Sequence, residues 1–311
     1  MTLALVFPGQ GSQSVGMLAE LAGEFPQVEQ TFAEASAALG YDLWQLVQNG
    51  PESELQLTAV TQPAMLTAGV AVWRAWLAAG GPQPALMAGH SLGEYSALVC
   101  AGALPFAQAV RLVRQRGEFM QQAVPVGAGA MAAVLGLDRA AVEAACASAA
   151  TADEIVAVAN YNAPPQSVIA GHTAAVQRAS AAAQAAGAKR VVPLPVSAPF
   201  HCALMRPAAA ALTPALEAAS ITPPTVPVIN NVDVATVSEP AAIRDALIRQ
   251  IYSPVRWVEV IEAMAAQGVT HVVECGPGKV LAGLTKRICG ELDSLAVQDP
   301  ASLRQALAAI G

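Results

Sequence analysis

Apolar residues along this chain follow two rhythms. Short unbroken apolar runs, ALVF at residues 4–7 and PALMAG at 84–89, each lead directly into a turn that carries glycine. Between and after them, apolar residues recur at spacings of three and four, as on one face of a helix. Up to about Gly102 the pattern therefore predicts strand, turn, helix, helix, strand, turn, helix, the rhythm of a parallel α/β sheet. A further helix opens at Pro105 and runs to about Val124. The segment VPVGAGA that follows combines proline with glycine, the strongest local interrupters of regular structure, and marks a boundary.

Beyond it the periodicity predicts a strand over 131–137, a helix over 139–149, strands over 155–160 and 167–170, a helix over 173–186 and a strand over 190–193. This βαββαβ order is that of a small ferredoxin-like unit. The proline-flanked stretch LPVSAPF then returns the chain to the first region, where helical alanine and leucine spacing resumes. A strand over 226–230, a helix ending near Tyr252, another helix and the strand THVVECGPG complete the pattern. The expected fold is α/β, a large parallel-sheet, α/β-hydrolase-like domain (1–125 and 197–311) carrying an inserted small ferredoxin-like subdomain (126–196).

Composition narrows the class. A chain of 311 residues is long enough to bury a sizeable core. Its hydrophobic fraction of 54% is spread along the sequence, and no uncharged apolar stretch is long enough to span a bilayer. The opening MTLALVFPGQG has no basic leader and its apolar run stops at Pro8, so it reads as a buried strand, and a cytoplasmic location is expected. Five cysteines without a CxxC pair indicate neither a disulfide framework nor a zinc site, and no metal or cofactor is expected. A formal net charge of −7 disfavours nucleic acid as a partner.

Candidate chemistry centres on Gly89-His90-Ser91-Leu92-Gly93, placed between a predicted strand and a predicted helix, the context of a nucleophile elbow. The helix amino terminus behind Ser91 aims N–H groups at the site, with the Leu92 N–H as an oxyanion donor. The plainer alternative for Ser91 is a helix N-cap. Of the four histidines, His90 adjoins the serine and should point elsewhere, and His172 and His271 read as structural. His201 lies in a proline-stiffened loop re-entering the large domain, where it is either the serine's base or a ring packed on Phe200. Arg116 shares a helical stripe with Leu112, Phe119 and Ala123, which predicts a partly buried guanidinium. Its partner is then a substrate carboxylate or an internal acid, unless the side chain snorkels to water. Arg114 instead has Glu118 one turn on. The loop Phe7-Pro8-Gly9-Gln10-Gly11-Ser12-Gln13 lacks the P-loop lysine and the GxGxxG spacing, so Gln10 is better read as a second oxyanion donor than as part of a nucleotide site.

Taken together, FPGQGSQ, GHSLGEYSAL, RQRGEFMQ, SAPFHCALM, QIYSPVRW and ECGPGKVLAGL resemble, in order and across almost the whole chain, the motifs of the bacterial malonyl-CoA:acyl carrier protein transacylases. The resemblance implies that Ser91 accepts the acyl group, His201 is its base, Arg116 clamps the malonyl carboxylate, and Gln10 and Leu92 donate to the oxyanion. It also implies that the backbone carbonyl of Gln250 orients the histidine, in place of a triad acid. Phe200 is compatible with malonyl-selective relatives. The implied substrates are malonyl-CoA and the phosphopantetheine thiol of acyl carrier protein, the protein acting as a monomer in fatty acid synthesis. Lys189, Arg190, Lys286 and Arg287 are candidate contacts for an acidic carrier, or simply a solvated face. A polyketide acyltransferase, a serine thioesterase or hydrolase and a non-catalytic carrier-binding module are the competing readings.

Overall fold

The computed structural model describes residues 2–196 and 198–311; Met1 and Ser197, the latter opening the SAPFHC segment, lie outside the described residues. The chain begins with β1 (Leu3–Phe7), followed by α1 (Ala19–Glu24), α2 (Gln27–Leu39), α3 (Leu43–Asn49), α4 (Glu52–Leu55) and the 21-residue α5 (Thr58–Ala78). β2 (Leu86–Gly89), α6 (Gly93–Cys100) and α7 (Phe106–Gln122) come next. The second sheet is built from β3 (Gly129–Leu135), α8 (Arg139–Ala149), β4 (Val156–Ala163), β5 (Gln166–His172), α9 (Thr173–Ala185) and β6 (Arg190–Pro193). After a 3-10 turn at Ala203–Met205 follow α10 (Arg206–Glu217), β7 (Val228–Ile229), α11 (Pro240–Gln250), α12 (Trp257–Ala266), β8 (His271–Cys275), α13 (Val280–Ile288), β9 (Asp293–Val297) and α14 (Pro300–Ile310).

The large sheet is five-stranded in the order β7-β2-β1-β8-β9, and all of its pairings are parallel. Every residue of β1 is buried, because successive side chains enter cores on opposite faces of the sheet. Leu3, Leu5 and Phe7 join the core formed with α2, α5 and α7. Ala4 and Val6 join the core formed with α12 and α13. β1 lies between β2, the next large-sheet strand in the chain, and β8, which the chain reaches only after β7, so the strand order reverses at β1 and the place for a ligand is beyond its carboxyl end. Both Phe7 and Gly89 end at that edge, in register with each other.

The small sheet has the order β4-β5-β3-β6, all antiparallel, which is the ferredoxin-like arrangement. Val134, Val158 and Ile169 pack its one face against Val142 of α8 and Val176 of α9. Val255, between α11 and α12, ties that segment to β4 of the small sheet: its N–H donates to Ala159 O and its carbonyl accepts from Tyr161 N–H, both at 2.9 Å.

Several details differ from the periodicity. Five helices, not two, separate β1 from β2. β3 starts two residues before the expected Met131 and ends before Gly136, whose positive φ of 88° turns the chain. β7 is only two residues long; it is an edge strand whose one neighbour in the sheet is β2. The expected order stops at THVVECGPG, whereas the chain continues with α13, β9 and α14, and β9 forms the other edge of the sheet.

Candidate active site

Ser91 sits in the three-residue turn between β2 and α6 with φ of 53°, a left-handed conformation that is unfavourable for a residue with a side chain. Two glycines make the turn possible. A Cβ on Gly89 would lie 1.8 Å from the Gly93 carbonyl carbon, and one on Gly93 would lie 2.0 Å from the Phe7 carbonyl oxygen. The turn is held by N–H donation from Gly93 to His90 O and from Glu94 to Ser91 O, and His90 N–H donates to Phe7 O on the neighbouring strand. Its strain is offset from outside as well, for Asn231, just past β7, accepts the Ser91 N–H at 2.7 Å and donates its amide to Gly89 O at 2.8 Å.

His201, also left-handed with φ of 58°, brings Nε2 to 2.7 Å from Ser91 Oγ. Its Nδ1 lies 2.9 Å from the backbone carbonyl of Gln250. A carbonyl only accepts, so Nδ1 carries the proton and Nε2 presents its lone pair to the serine hydroxyl. Burial first, and then the positive charge of Arg116, push the imidazole down to about 3. The ring is therefore neutral at ordinary pH and able to take the serine proton.

Arg116 projects from α7 with 1% of its surface exposed. One guanidinium nitrogen donates to Gln62 Oε1 at 2.9 Å; the other reaches Gln250 Oε1 at 2.9 Å and Ser91 Oγ at 3.2 Å. All three acceptors are uncharged, and Nε is buried without a partner. Among the described residues no carboxylate pairs with this cation directly. Leu92 and Gln10 line the same cavity. Among the described residues, neither of their N–H groups is taken up by another backbone carbonyl.

The cavity measures about 140 Å³ and lies between the two sheets, with Met131 and Leu194 from the small-sheet side and Met120 and Phe200 from the large. Its apolar wall surrounds a floor made of Ser91, His201 and Arg116. Such a site can attack a carbonyl, hold the resulting oxyanion on N–H groups and pair a second, anionic end of the same short substrate.

The other histidines make no bond to Ser91, His201 or Arg116, although His90 lines the same cavity. His90 turns its Nε2 to Asn162 Oδ1 of β4 at 2.8 Å and packs against Trp257. His172 accepts the Ile155 N–H, and His271 opens β8 beside Asp293. Arg114 pairs with Glu118 at 3.0 Å. No cluster of three or more potential metal ligands is present among the described residues, and the five cysteines are free.

Sequence reasoning missed Gln62, Asn231, Glu94 and the side chain of Gln250. All four are at most 2% exposed. Gln62 carried one usable signal, as the one amide side chain in the largely apolar α5. Asn231 carried another, lying just past a strand at the carboxyl edge of the sheet.

Known proteins resemble this chain over almost its whole length. Residues 4–299 match the acyl transferase domain family. The chain is 62% identical over 304 residues to the malonyl CoA-acyl carrier protein transacylase of Salmonella typhimurium, covering 98% of each. Among solved structures, an acyl carrier protein S-malonyltransferase from Vibrio cholerae superposes with a TM-score of 0.96 at 58% identity, over 98% of this chain and 99% of that one. A malonyl-transacylase solved in complex with its type II PKS acyl-carrier protein superposes with a TM-score of 0.98 at 58% identity, over 99% and 100%. With its family match and relatives of this identity spanning nearly its full length, the chain belongs to the malonyl CoA-acyl carrier protein transacylases of the acyl transferase family.

Proposed function

We propose that this acyltransferase moves the malonyl group of malonyl-CoA to the phosphopantetheine thiol of an acyl carrier protein, through a malonyl ester on Ser91. The observation that carries the reading is a buried guanidinium, 3.2 Å from the nucleophile and bonded only to uncharged acceptors. A thioester whose acyl group ends in a carboxylate supplies the missing anion and, by its short length, puts its carbonyl at Ser91.

In the first half-reaction His201 Nε2 takes the Ser91 proton as Oγ attacks the thioester carbonyl. The Leu92 and Gln10 N–H groups receive the oxyanion. The imidazolium, steadied by the Gln250 carbonyl, then protonates the departing coenzyme A thiolate. In the second, the carrier thiol gives its proton to His201 and attacks the ester, and Ser91 leaves with that proton. The apolar wall keeps competing water from the ester. In this reading residues 1–125 and 197–311 form the catalytic domain and 126–196 a subdomain closing one side of the cavity, a division supported by the core that one face of the small sheet forms with α8 and α9. The protein works as a cytoplasmic monomer without a cofactor; no helix of the described residues is long and apolar enough to cross a membrane.

Fatty acid synthesis is the pathway of this reading, as the resemblance of the sequence motifs implies. A type II PKS carrier is the second reading, because a relative of equal identity to the Vibrio cholerae enzyme is solved with one. Intact-mass analysis after mixing with malonyl-CoA tests the proposal. A malonyl adduct mapped to Ser91, absent in Ser91→Ala and discharged onto added acyl carrier protein, is the expected result. Release as free malonate, with no transfer, would show a hydrolase.

A further inference from the structure

Glu94 has no part in the steps above, yet it is 2% exposed and lies one helical turn from the nucleophile. Its Oε2 accepts two N–H groups, the backbone of Asn231 at 2.9 Å and Nε2 of Gln250 at 2.8 Å. Gln250 Nε2 also donates to Ser91 O at 3.0 Å. Both of these acceptors, a carboxylate oxygen and a carbonyl, face the same amide nitrogen, which settles the orientation of the Gln250 side chain. With the nitrogen turned to Glu94, the amide oxygen is turned to Arg116, which donates to it at 2.9 Å.

We propose that Glu94 is a positioning residue for malonyl recognition: by holding the Gln250 amide in this orientation it aims the Arg116 guanidinium at the acyl pocket. The inference rests on the malonyl-transfer reading given above. A reversed amide would turn its NH2 group toward a guanidinium that has only donors, and Arg116 would lose one of its three anchors. The one-amide spacing matters too. A carboxylate bonded directly to Arg116 would compete with the substrate, whereas Glu94 acts through Gln250 and leaves the cation open to the acyl group.

The Glu94 carboxyl is raised to about 7, because burial outweighs the lowering effects of Gln250, Asn231 and the charge of Arg116. The orienting role does not depend on its ionisation, because both donors converge on Oε2 and a proton on Oε1 leaves both bonds intact. The elbow has bonds that do not pass through Gln250: the Asn231 side chain holds Ser91 N–H and Gly89 O, and only the Asn231 backbone N–H rests on Glu94.

The test compares kcat/KM for loading of Ser91 by malonyl-CoA and by acetyl-CoA in Glu94→Ala and Glu94→Gln. Alanine removes the acceptor, and the malonyl-to-acetyl ratio is expected to fall by about tenfold or more, carried by malonyl. Glutamine still offers an oxygen to both N–H groups and should restore the ratio to within about threefold of the parent. Glu94→Met fills the volume without an acceptor and replaces alanine if that variant does not fold. Gln250→Met, which keeps the backbone carbonyl for His201, should show the same malonyl-selective loss, and combining it with Glu94→Ala should add little further. Equal losses with both acyl groups, a glutamine variant as impaired as alanine, or additive effects with Gln250→Met would each overturn the proposal. Absence of malonyl loading in the parent protein would instead refute the transferase reading itself.

Discussion

Replacing Arg116 with alanine tests the site at the point where acyl groups are told apart. The guanidinium is buried and held by Gln62, Gln250 and Ser91, so a carboxylate arriving there meets an aimed fork in a water-poor cavity. Removing one partner of a buried, hydrogen-bonded ion pair costs about 3–5 kcal/mol. At about 1.4 kcal/mol per factor of ten, malonyl loading should fall by roughly two to three and a half powers of ten. An acetyl group has no carboxylate and loses only the 3.2 Å contact of Arg116 with Ser91 Oγ, worth about 1.5 kcal/mol, or roughly tenfold. The ratio of the two should therefore drop at least tenfold. Arg116→Lys keeps the charge but cannot reach three acceptors at once, and should fall between the parent and alanine. The assay is rapid-quench loading of Ser91 with each acyl-CoA, read by intact mass, on protein whose thermal transition shows it to be folded. Equal losses for malonyl and acetyl would refute the clamp, and Arg116 would then be a support for Ser91 alone.

Three further outcomes follow from the same geometry. Because His201 is held near 3, its protonation should not limit loading, and kcat/KM for malonyl-CoA should stay flat as pH falls from 8 to 5. A half-point between 6 and 7, seen in the parent and in Glu94→Gln alike, would show instead that His201 titrates near its ordinary value. Gly93→Ala should lower stability by about 3 kcal/mol or more and abolish loading, since its Cβ would meet the Phe7 carbonyl at 2.0 Å; a melting temperature within a degree of the parent would contradict this packing. Glu274 in β8 is fully buried, with one oxygen on the Ala282 N–H at the start of α13 and the other unpartnered, and burial raises its carboxyl to about 7. An acid raised above its unfolded value near 4.5 contributes full stability below that value and loses it as pH rises through 7, by roughly 3 kcal/mol at most. Glu274→Gln should accordingly flatten the decline in stability between pH 5 and 8, and an unchanged decline measured by urea unfolding would show that Glu274 does not cause it.

Much of this protein is written locally in its chain. The apolar runs of β1 and β2, the glycines on both sides of Ser91 and the alternation of strand and helix over 129–193 are short-range patterns. Each is dictated by backbone sterics and by periodicity within a few residues, so the α/β class, the ferredoxin-like order and the strand-turn-helix setting of Ser91 could all be read without coordinates. The Arg116 stripe was legible for the same reason, since burial on one helix face depends on spacing alone.

What the tertiary structure alone decided is which distant residues meet. Ser91 and His201 are 110 positions apart, Arg116 and Gln62 are 54 apart, and Glu94 and Gln250 are 156 apart. Nothing in the spacing of Gln62 or Asn231 says that one will anchor a guanidinium and the other a strained turn. The edge strand β9 and the shortness of β7 were beyond local pattern as well, because a strand at a sheet edge takes its length and place from its neighbour. The direction of each hydrogen bond around Gln250, and with it the aim of Arg116, exists only once packing has excluded water. Each buried donor must then find its acceptor within the protein, since leaving one unpaired costs about 1–3 kcal/mol.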